Sequence, residues 1–588
     1  MAAKMLRILL GITLAMTLAC GTAANPTAAP PAGVTPASAP TVAVGPTLAP
    51  SVLPTTAPPE IEPVSARDNI ILVINLEPTL VNLFFTGSGQ ISNSVHKDNL
   101  ADSLTWQSGD DQRIVPTTAI TGWEQLAPDR WRFTLRQGVK FHNGELWNAQ
   151  AALPSLLFQG QASNATNSQP YTGNYTAEVV DEYTVDITCE QGCPIFPNTS
   201  MFLDFVAPNF LATATEDEQA RTTAGLGPYR MVDWDATSIT QEAYEDYVPA
   251  GDHYEFQEPH IKNVMWLWRG EPTVMAAMVK IGEADFAWDA GVDAIDALPA
   301  DMVRSGGTAK VWTVEMNTMW NPELAKVKVR QAMAHAVNCQ ELVDTLYAGY
   351  PTCRGNITFP GVIGATVENT APYTYNPELS RQLLQEANYD PDTTLTYISR
   401  ASRIPKQTEI NEAIQGYLKD VGINVEIKTV DPQIRNEYRQ CQAGAAVNDV
   451  LKASGRVPGE DQPTFDDFRA ALASGPTSCS AADLIENQPP SPTLDFGRLL
   501  VSDLNCEYPY SPNCDPSPGG FQEMLPLALA ATGAERQQLM QKILDRVHEE
   551  AWFFIGFDLV YFYAVNPKLE WTPRFDGRVR VSSMRFNP

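Results

Sequence analysis

Histidine is scarce in this chain of 588 residues: there are six copies, none at the i, i+4 spacing that sets two imidazoles on one helical face, and none in an HExxH context. The metal-hydrolase patterns built on such pairs are excluded. No G-x-S-x-G elbow and no P-loop occurs, which removes the common serine-hydrolase and nucleotide-hydrolysis readings. Basic side chains are few as well, with 40 Lys and Arg against 69 Asp and Glu, a net charge of −29. A surface of that sign repels phosphate backbones and anionic lipid, so nucleic acid is excluded as a partner. The N-terminal apolar run stops after Ile8–Ala19, short of the roughly 20 residues that a membrane-spanning helix needs. Carboxylates are so numerous that no one pair marks an acid–base couple. The expectation is a protein without catalysis, cofactor or metal.

What is present begins with an address. Lys4 and Arg7 precede Ile8–Ala19 in the basic-then-apolar order of a secretory signal, and Leu18-Ala19-Cys20 closes it. That junction resembles a bacterial lipobox, which implies cleavage before Cys20 and lipidation of its thiol. From 21 to 65 the chain is Ala, Thr, Pro, Val and Ser with almost no charge or aromatics, too little to bury a core, and reads as a disordered tether. Eight further cysteines follow, none at zinc-like CxxC spacing. Eight thiols admit about 105 pairings. Short separations and an exported context favour the sequential set, Cys189–Cys193, Cys339–Cys353, Cys441–Cys479 and Cys506–Cys514.

The remaining length exceeds what one hydrophobic core serves, so at least two lobes are expected. A strand opens the folded part in IILVINLEP from Ile70, after Asn69. In WRFTLRQGVKFHNG, Trp131, Phe133 and Leu135 alternate with polar neighbours, the apolar run resumes at Val139 and Phe141, and Asn143-Gly144 offers a positive-φ pair for a tight turn. Val179–Thr188 reads as one more half-buried strand, and Gly227-Pro228 forces an extended turn before a strand from Tyr229. Helices are expected over Thr273–Val279, after the cap Asn338, after Asn376-Pro377, and through Ile410–Val421 up to Gly422. A last helix opens with a Thr532/Glu535 capping box, and WFFIGFDLVYFYAV, Trp552–Val565, is nearly continuous apolar strand.

Several of these strings resemble the family 5 extracellular solute-binding proteins, the peptide- and nickel-binding receptors of ABC importers. WRFTLRQGVKFHNG carries the whole W-x-F-x-L-R-x-G-V-K-F-H-[DN]-G signature, and GLGPY departs from G-T-G-P-Y only at Leu226. Gly282, Glu283 and Asp285 match a G-E-x-D turn, and Asn317 followed by VRQAMAHAVN matches the family's later motif. The resemblance implies an α/β, two-lobed periplasmic-binding-protein-like fold of type II, large cluster, with an extra N-terminal subdomain and mixed sheets flanked by helices. Lobe I would comprise 66–110, 216–305 and 552–588, its subdomain 111–215, and lobe II 306–551.

The implied role is the substrate-binding component of an ABC importer, exported and lipid-anchored through Cys20 to the outer face of the cytoplasmic membrane. It would act as a monomer that captures a small polar solute or peptide between the lobes and delivers it to a membrane permease. The alternative is a receptor feeding a membrane signalling partner. Trp288 and Trp320 fall just past elements that should end near the lobe junction, and Arg400 and Arg403 follow the strand LTYIS, so all four are candidate ligand residues. An arginine there suits a ligand carboxylate. In peptide-binding members an aspartate near an Asp-Pro segment holds the ligand amine; Asp461 in DQPTF and Asp495 in SPTLDF compete for that place, and Asp495 is the candidate retained.

Overall fold

The first strand, β1 (Asn69–Ile74), is split by its pleat: Ile70, Leu72 and Ile74 enter one core and Val73 the opposite one. A strand apolar on both sides needs cover on both faces, and the architecture follows from that demand. The computed structural model describes residues 67–587 except 79, 85–94, 162–163, 165–167, 191, 252, 319–320, 401–403, 441–443, 458–466, 468–469, 471–481 and 506–519. Cys20, the tether and the pairs Cys441–Cys479 and Cys506–Cys514 lie outside the described residues.

After β1 come a short pair, β2 (Thr105–Gln107) and β3 (Ile114–Pro116), and then β4 (Ile120–Ala127), β5 (Arg130–Leu135), helix α1 (Ala149–Gln159), β6 (Tyr175–Asp181) and β7 (Thr184–Cys189). The last four strands make an antiparallel sheet in the order β4-β5-β7-β6. Trp131, Phe133, Leu135, Phe141 and Trp147 fill its core, and each of the two indoles donates to a backbone carbonyl, Trp131 to Cys193 at 2.9 Å and Trp147 to Ala119 at 2.8 Å. Cys189–Cys193 is a disulfide at the end of β7.

The chain continues through β8 (Tyr229–Trp234), β9 (Ser238–Ala243), β10 (Asn263–Trp268), α2 (Pro272–Ile281), β11 (Phe286–Trp288), α3 (Val292–Ile295) and the long β12 (Val303–Met316). Beyond it lie α4 (Val327–Ala336), α5 (Cys339–Tyr347), β13 (Cys353–Arg354), α6 (Pro377–Glu386), β14 (Thr394–Arg400), α7 (Gln407–Asp420), β15 (Asn424–Val430) and β16 (Leu484–Asn487). Helices α8 (Gly497–Asp503), α9 (Phe521–Ala530) and α10 (Gly533–Glu549) precede the equally long β17 (Phe553–Val565) and a closing pair, β18 (Leu569–Glu570) and β19 (Arg585–Phe586). Eleven strands form one sheet in the order β15-β14-β16-β12-β17-β11-β1-β10-β9-β8, with β13 also paired to β17. β1 is parallel to β10 and β11, and β14 is parallel to β15 and β16. Among the described residues β12 and β17, antiparallel in the middle, link these two parallel sets, β12 pairing with β16 and β17 with β11.

That central ladder runs from Val303↔Ala564 to Gly307↔Val560, breaks, and resumes from Val311↔Asp558 to Glu315↔Phe553. Ala309 sits in the break with φ of 51° and donates its N–H to the Phe575 carbonyl at 3.0 Å. Gly306 and Gly307 are required by what passes over them. A Cβ on Gly306 would stand 2.4 Å from Pro573 Cβ, and one on Gly307 would stand 2.7 Å from the Phe575 carbonyl oxygen. The C-terminal segment that presses on them is held by buried charge. Arg574 bonds both carboxylate oxygens of Asp576 at 2.9 Å and pairs with Glu255, and Arg580 reaches Asp102 at 2.7 Å. The Trp106 ring lies against the guanidinium groups of Arg574 and Arg578 at 4.8 and 4.9 Å.

The strands expected from Asn69, Trp131, Tyr229 and Trp552 form, as do the helices expected after Asn338, Asn376 and through Ile410–Val421. Asn338 and Asn376 accept from the backbone N–H groups of Glu341 and Leu379 as caps. Cys339–Cys353 is a disulfide linking the start of α5 to β13. Three local expectations are corrected. Val179–Thr188 is not one strand: Glu182 and Tyr183 turn the chain, because pairing both sides of the segment with each other buries more than one long edge would. At the Asn143-Gly144 turn only the glycine takes positive φ, 85°. Thr532 forms no side-chain cap for α10, whose first residue is Gly533. The glycines before Tyr229 serve close packing, since a Cβ on Gly225 would stand 2.1 Å from the Leu100 carbonyl oxygen.

Gly307→Ala should therefore lower stability by about 1–3 kcal/mol, because the obstacle is backbone and cannot swing away. Gly122→Ala, where a Cβ meets nothing within 4 Å, is the control and should change little. Urea unfolding curves of the two variants test this, and equal midpoints would show that the 573–575 segment yields freely.

Candidate functional site

Parallel strands end on one edge of a sheet, and in open α/β sheets the crevice past those ends is where ligands bind. β1 and β11 pair with Leu72↔Phe286 and Val73↔Ala287 in register, so two residues further on Asn75 and Asp289 leave the sheet side by side. A cavity of about 190 Å³ opens at that point. Its wall takes Asn75 and Leu76 after β1, Asp289 after β11, Thr308 and Lys310 from the break in β12, and Tyr347 at the end of α5. Pro351 before β13, Ile404 and Pro405 before α7, Gln488 after β16, and Phe557–Phe562 in the middle of β17 complete it. Both parallel sets and both linking strands thus contribute to one small chamber.

The chamber carries polar atoms that the protein does not satisfy. Asn75 Oδ1 is buried without a hydrogen-bond partner. Asp289 adopts φ of 57°, a left-handed conformation that costs a non-glycine residue energy and that aspartate tolerates better than most. Its carboxylate accepts from the Phe562 backbone N–H, and burial pushes its pKa up to about 7. Asp558 differs: Arg354 grips it with two bonds of 3.0 and 2.6 Å, and burial still outweighs that partner and raises its pKa. Tyr347 donates to the Pro405 carbonyl, and burial holds its hydroxyl above the usual range. Lys406, ahead of α7, pairs at 2.8 Å with Asp293 on α3, joining one parallel set to the other beside the chamber. Among the described residues no group of three or more His, Cys, Asp or Glu could hold a metal ion.

Of the ligand residues expected from sequence, Trp288, Arg400 and Asp495 are described, and none of the three lines this chamber. Trp288 is fully buried in the core behind the chamber, with its ring edge-on to Tyr561 at 6.1 Å; the lining residue is its neighbour Asp289. Arg400 ends β14 in a two-bond pair with Glu486 at 2.8 and 2.6 Å, so its guanidinium is engaged inside the protein. Asp495 is buried against Arg536 with bonds of 2.6 Å to each oxygen and also caps the Gly497 N–H at 2.7 Å, which leaves no carboxylate face for a ligand. Trp320, Arg403 and Asp461 lie outside the described residues. Asn75, Asp289, Tyr347 and Tyr561 were missed; the signal available was that each apolar strand string ends in a polar residue, IILVIN and DFAWD. A larger groove of about 660 Å³ runs between Cys189–Phe196 and α8–α9, with Arg498 stacked over Tyr171 at 4.6 Å. It lies away from the strand ends and from the shared ladder.

The raised pKa of Asp289 has a definite consequence for stability. Its folded-state pKa exceeds that of the unfolded chain, so the folded protein holds the extra proton between about pH 4 and pH 7, and stability is lost as pH rises through that window. Asp289→Asn should therefore raise the melting temperature of the ligand-free protein by about 2 °C at pH 8 and leave it unchanged at pH 4. Differential scanning calorimetry at both values checks the sign, and a lower melting temperature at pH 8 would mean that the charge is compensated.

The sequence profile of the bacterial extracellular solute-binding proteins, family 5 (middle region), matches residues 113–459, more than half of the chain. The glutathione-binding protein GsiB of Salmonella typhi is 29% identical over 316 residues, which are 51% of this chain and 58% of that protein. The chain thus spans little more than half the length of the curated relatives it matches. Among solved structures, the ABC transporter substrate-binding protein CtaP of Listeria monocytogenes superposes with a TM-score of 0.70 at 16% identity, covering 89% of this chain and all of that one. The periplasmic binding protein DppA of Helicobacter pylori, in complex with peptide STSA, gives 0.65 at 17% identity, covering 88% and 98%. These likenesses establish the fold as that of the type II periplasmic binding proteins. A chain with this fold, this profile and these motifs belongs to family 5 of the bacterial extracellular solute-binding proteins.

Proposed function

We propose that the protein is the extracytoplasmic substrate-binding component of an ABC importer, which captures a small polar solute in the chamber beside β12 and β17 and hands it to a membrane permease. The observation that carries this reading is the placement of the chamber. Its walls come from two parallel strand sets joined through those two strands, so that movement of one set toward the other would enclose a ligand. The Lys406–Asp293 pair at the rim supports it as a contact made across the mouth, though pairs this exposed add little stability. The lobe boundaries expected from sequence, with crossings near 306 and 552, are part of this proposal; the ladder of β12 and β17 breaks between Gly307 and Val311 on one strand and between Asp558 and Val560 on the other. Relatives named for glutathione and for a bound peptide support a small amine- and carboxylate-bearing solute as the class to try first. Among the described residues no helix is long and apolar enough to cross a membrane. The proposed attachment is the lipid on Cys20, with residues 21–65 as tether.

Binding and closure must be linked, because a ligand shifts a conformational equilibrium only by favouring one state. Titration with glutathione and with short peptides should change the fluorescence of the 12 tryptophans and reduce the radius of gyration in X-ray scattering with one common midpoint. A solute that saturates without compaction would sink the closure mechanism, and a chemically altered solute would point to an enzyme. Intact mass of membrane-associated protein should show cleavage before Cys20 with an acyl adduct; a soluble product cut elsewhere would remove the anchor.

A further inference from the structure

We propose that the loop closed by Cys339–Cys353 is a brace for the solute chamber, and that the two cysteines, with Tyr347 between them, are positioning residues for capture. The inference rests on the binding reading above and deepens it. Neither cysteine lines the cavity; the loop between them does, through Tyr347 and Pro351. The disulfide therefore acts on a solute only through the wall it holds.

Contacts spread from this loop over two sides of the chamber. Cys353 pairs with Phe557 and Arg354 with Gly556, so β13 is zipped to β17 where the wall begins. The Thr352 carbonyl accepts the Asp558 N–H at 2.9 Å, and Arg354 grips the Asp558 carboxylate. The Tyr347 ring lies 5.7 Å from that of Phe557, and Tyr350 meets Phe562 edge-on at 5.0 Å. Tyr347 also donates its hydroxyl to the carbonyl of Pro405, a wall residue from a different segment. The next residue, Lys406, has φ of 60° and its Nζ 2.8 Å from Asp293. One closed loop thus sets the wall residues of β17 and those ahead of α7 at the same time.

The loop needs a brace because its turn is strained. The chain leaves α5 at Tyr347 and must return along the helix, since the disulfide brings residue 353 to within 6.0 Å, Cα to Cα, of the helix start. Ala348 and Gly349 make that reversal, both left-handed, with φ of 51° and 77°. Glycine takes this conformation freely and alanine does not. With the bond cut, the turn is free to relax, and Tyr347 and Pro351 sample positions off the wall. Apparent affinity scales with the fraction of time a site is competent, so a wall in shape a tenth of the time binds about tenfold more weakly. Cys189–Cys193 supplies the contrast: it closes a turn beside the larger groove and sets no residue of the chamber wall.

The test compares the whole wild-type protein with Cys339→Ser/Cys353→Ser and with Cys189→Ser/Cys193→Ser, each checked by circular dichroism at the assay temperature. Solutes retained from yeast extract after gel filtration are identified by mass spectrometry, their affinities are measured by calorimetry, and amide hydrogen exchange is followed without solute. Cys339→Ser/Cys353→Ser should bind the retained solutes about tenfold more weakly and exchange faster over 347–353, 404–410 and 556–562. Cys189→Ser/Cys193→Ser should lose stability and keep full affinity. Tyr347→Phe should weaken binding severalfold in the wild-type background and add little once the Cys339–Cys353 bond is gone, because both changes release the same contact to Pro405. Where the double serine variant does not fold, Tyr347→Phe alone carries the test. Unchanged affinity and wall exchange in Cys339→Ser/Cys353→Ser, or full affinity in Tyr347→Phe, would overturn the brace while the receptor reading stands. Wild-type protein that retains no solute would sink the receptor reading and any role in capture with it, and the exchange arm, which needs no solute, then decides whether the loop braces the wall.

Discussion

The antiparallel ladder between β12 and β17 is the constraint on which the remaining architecture depends. Each strand is long enough to pair with its partner twice, once beside β11 and once beside β16, with a break at residues 308–310 between the two runs. The break gives the chamber two of its wall residues, Thr308 and Lys310. Because the ladder is interrupted there, the Ala309 backbone N–H turns to the Phe575 carbonyl, and the Thr308 side-chain hydroxyl donates to the Leu559 carbonyl. The glycines at 306 and 307 let the C-terminal segment cross directly over this point, and the buried Arg574–Glu255–Asp576 group fastens it.

Buried charge is used in two opposite ways. Around Trp106 every guanidinium has a carboxylate or carbonyl in reach, and Arg574 is held strongly in its charged form by Asp576 and Glu255. Such a cluster is expensive to break and adds specificity to how the C-terminal segment docks. In the chamber the arrangement is left incomplete: Asp289 has no counter-ion among the described residues and Asn75 no donor. Buried polar atoms without a partner occur in both places, Trp106 Nε1 in the cluster and Asn75 Oδ1 on the chamber wall, and the one on the wall is where a ligand can reach it.

Aromatic residues divide along the same line. Trp266, Trp288 and Trp312 are fully buried core members, and Trp312 stacks on Phe557 at 5.0 Å. Tyr347 and Tyr561, amphipathic and set where the core meets the chamber, reach it alongside Phe557 and Phe562 of β17. A tryptophan that follows an apolar strand is drawn inward by its own surface area, about 250 Å² at most, and the polar residue after it is the one left at the edge.

Local order was legible in the amino-acid string because it depends on neighbours in sequence. The pleat of IILVI, the alternation of WRFTL, the caps Asn338 and Asn376 and the two short disulfides all involve partners a few residues away or a compartment announced by the N-terminus. Family membership was legible for a related reason, since its motifs are short strings with strong steric demands, such as the glycines packed on Leu100. The site was not. Whether Arg400 or Asp495 faces a ligand depends on whether Glu486 or Arg536, 86 and 41 residues away in the chain, claims it first. Asp289 became a candidate only when strand register placed it beside Asn75 on the chamber wall. The sequence by itself determined which segments fold and into what family of shapes. Tertiary structure decided which charges are neutralised inside the protein and which remain for a ligand, because that is settled by long-range pairing and desolvation, and neither is written in local order.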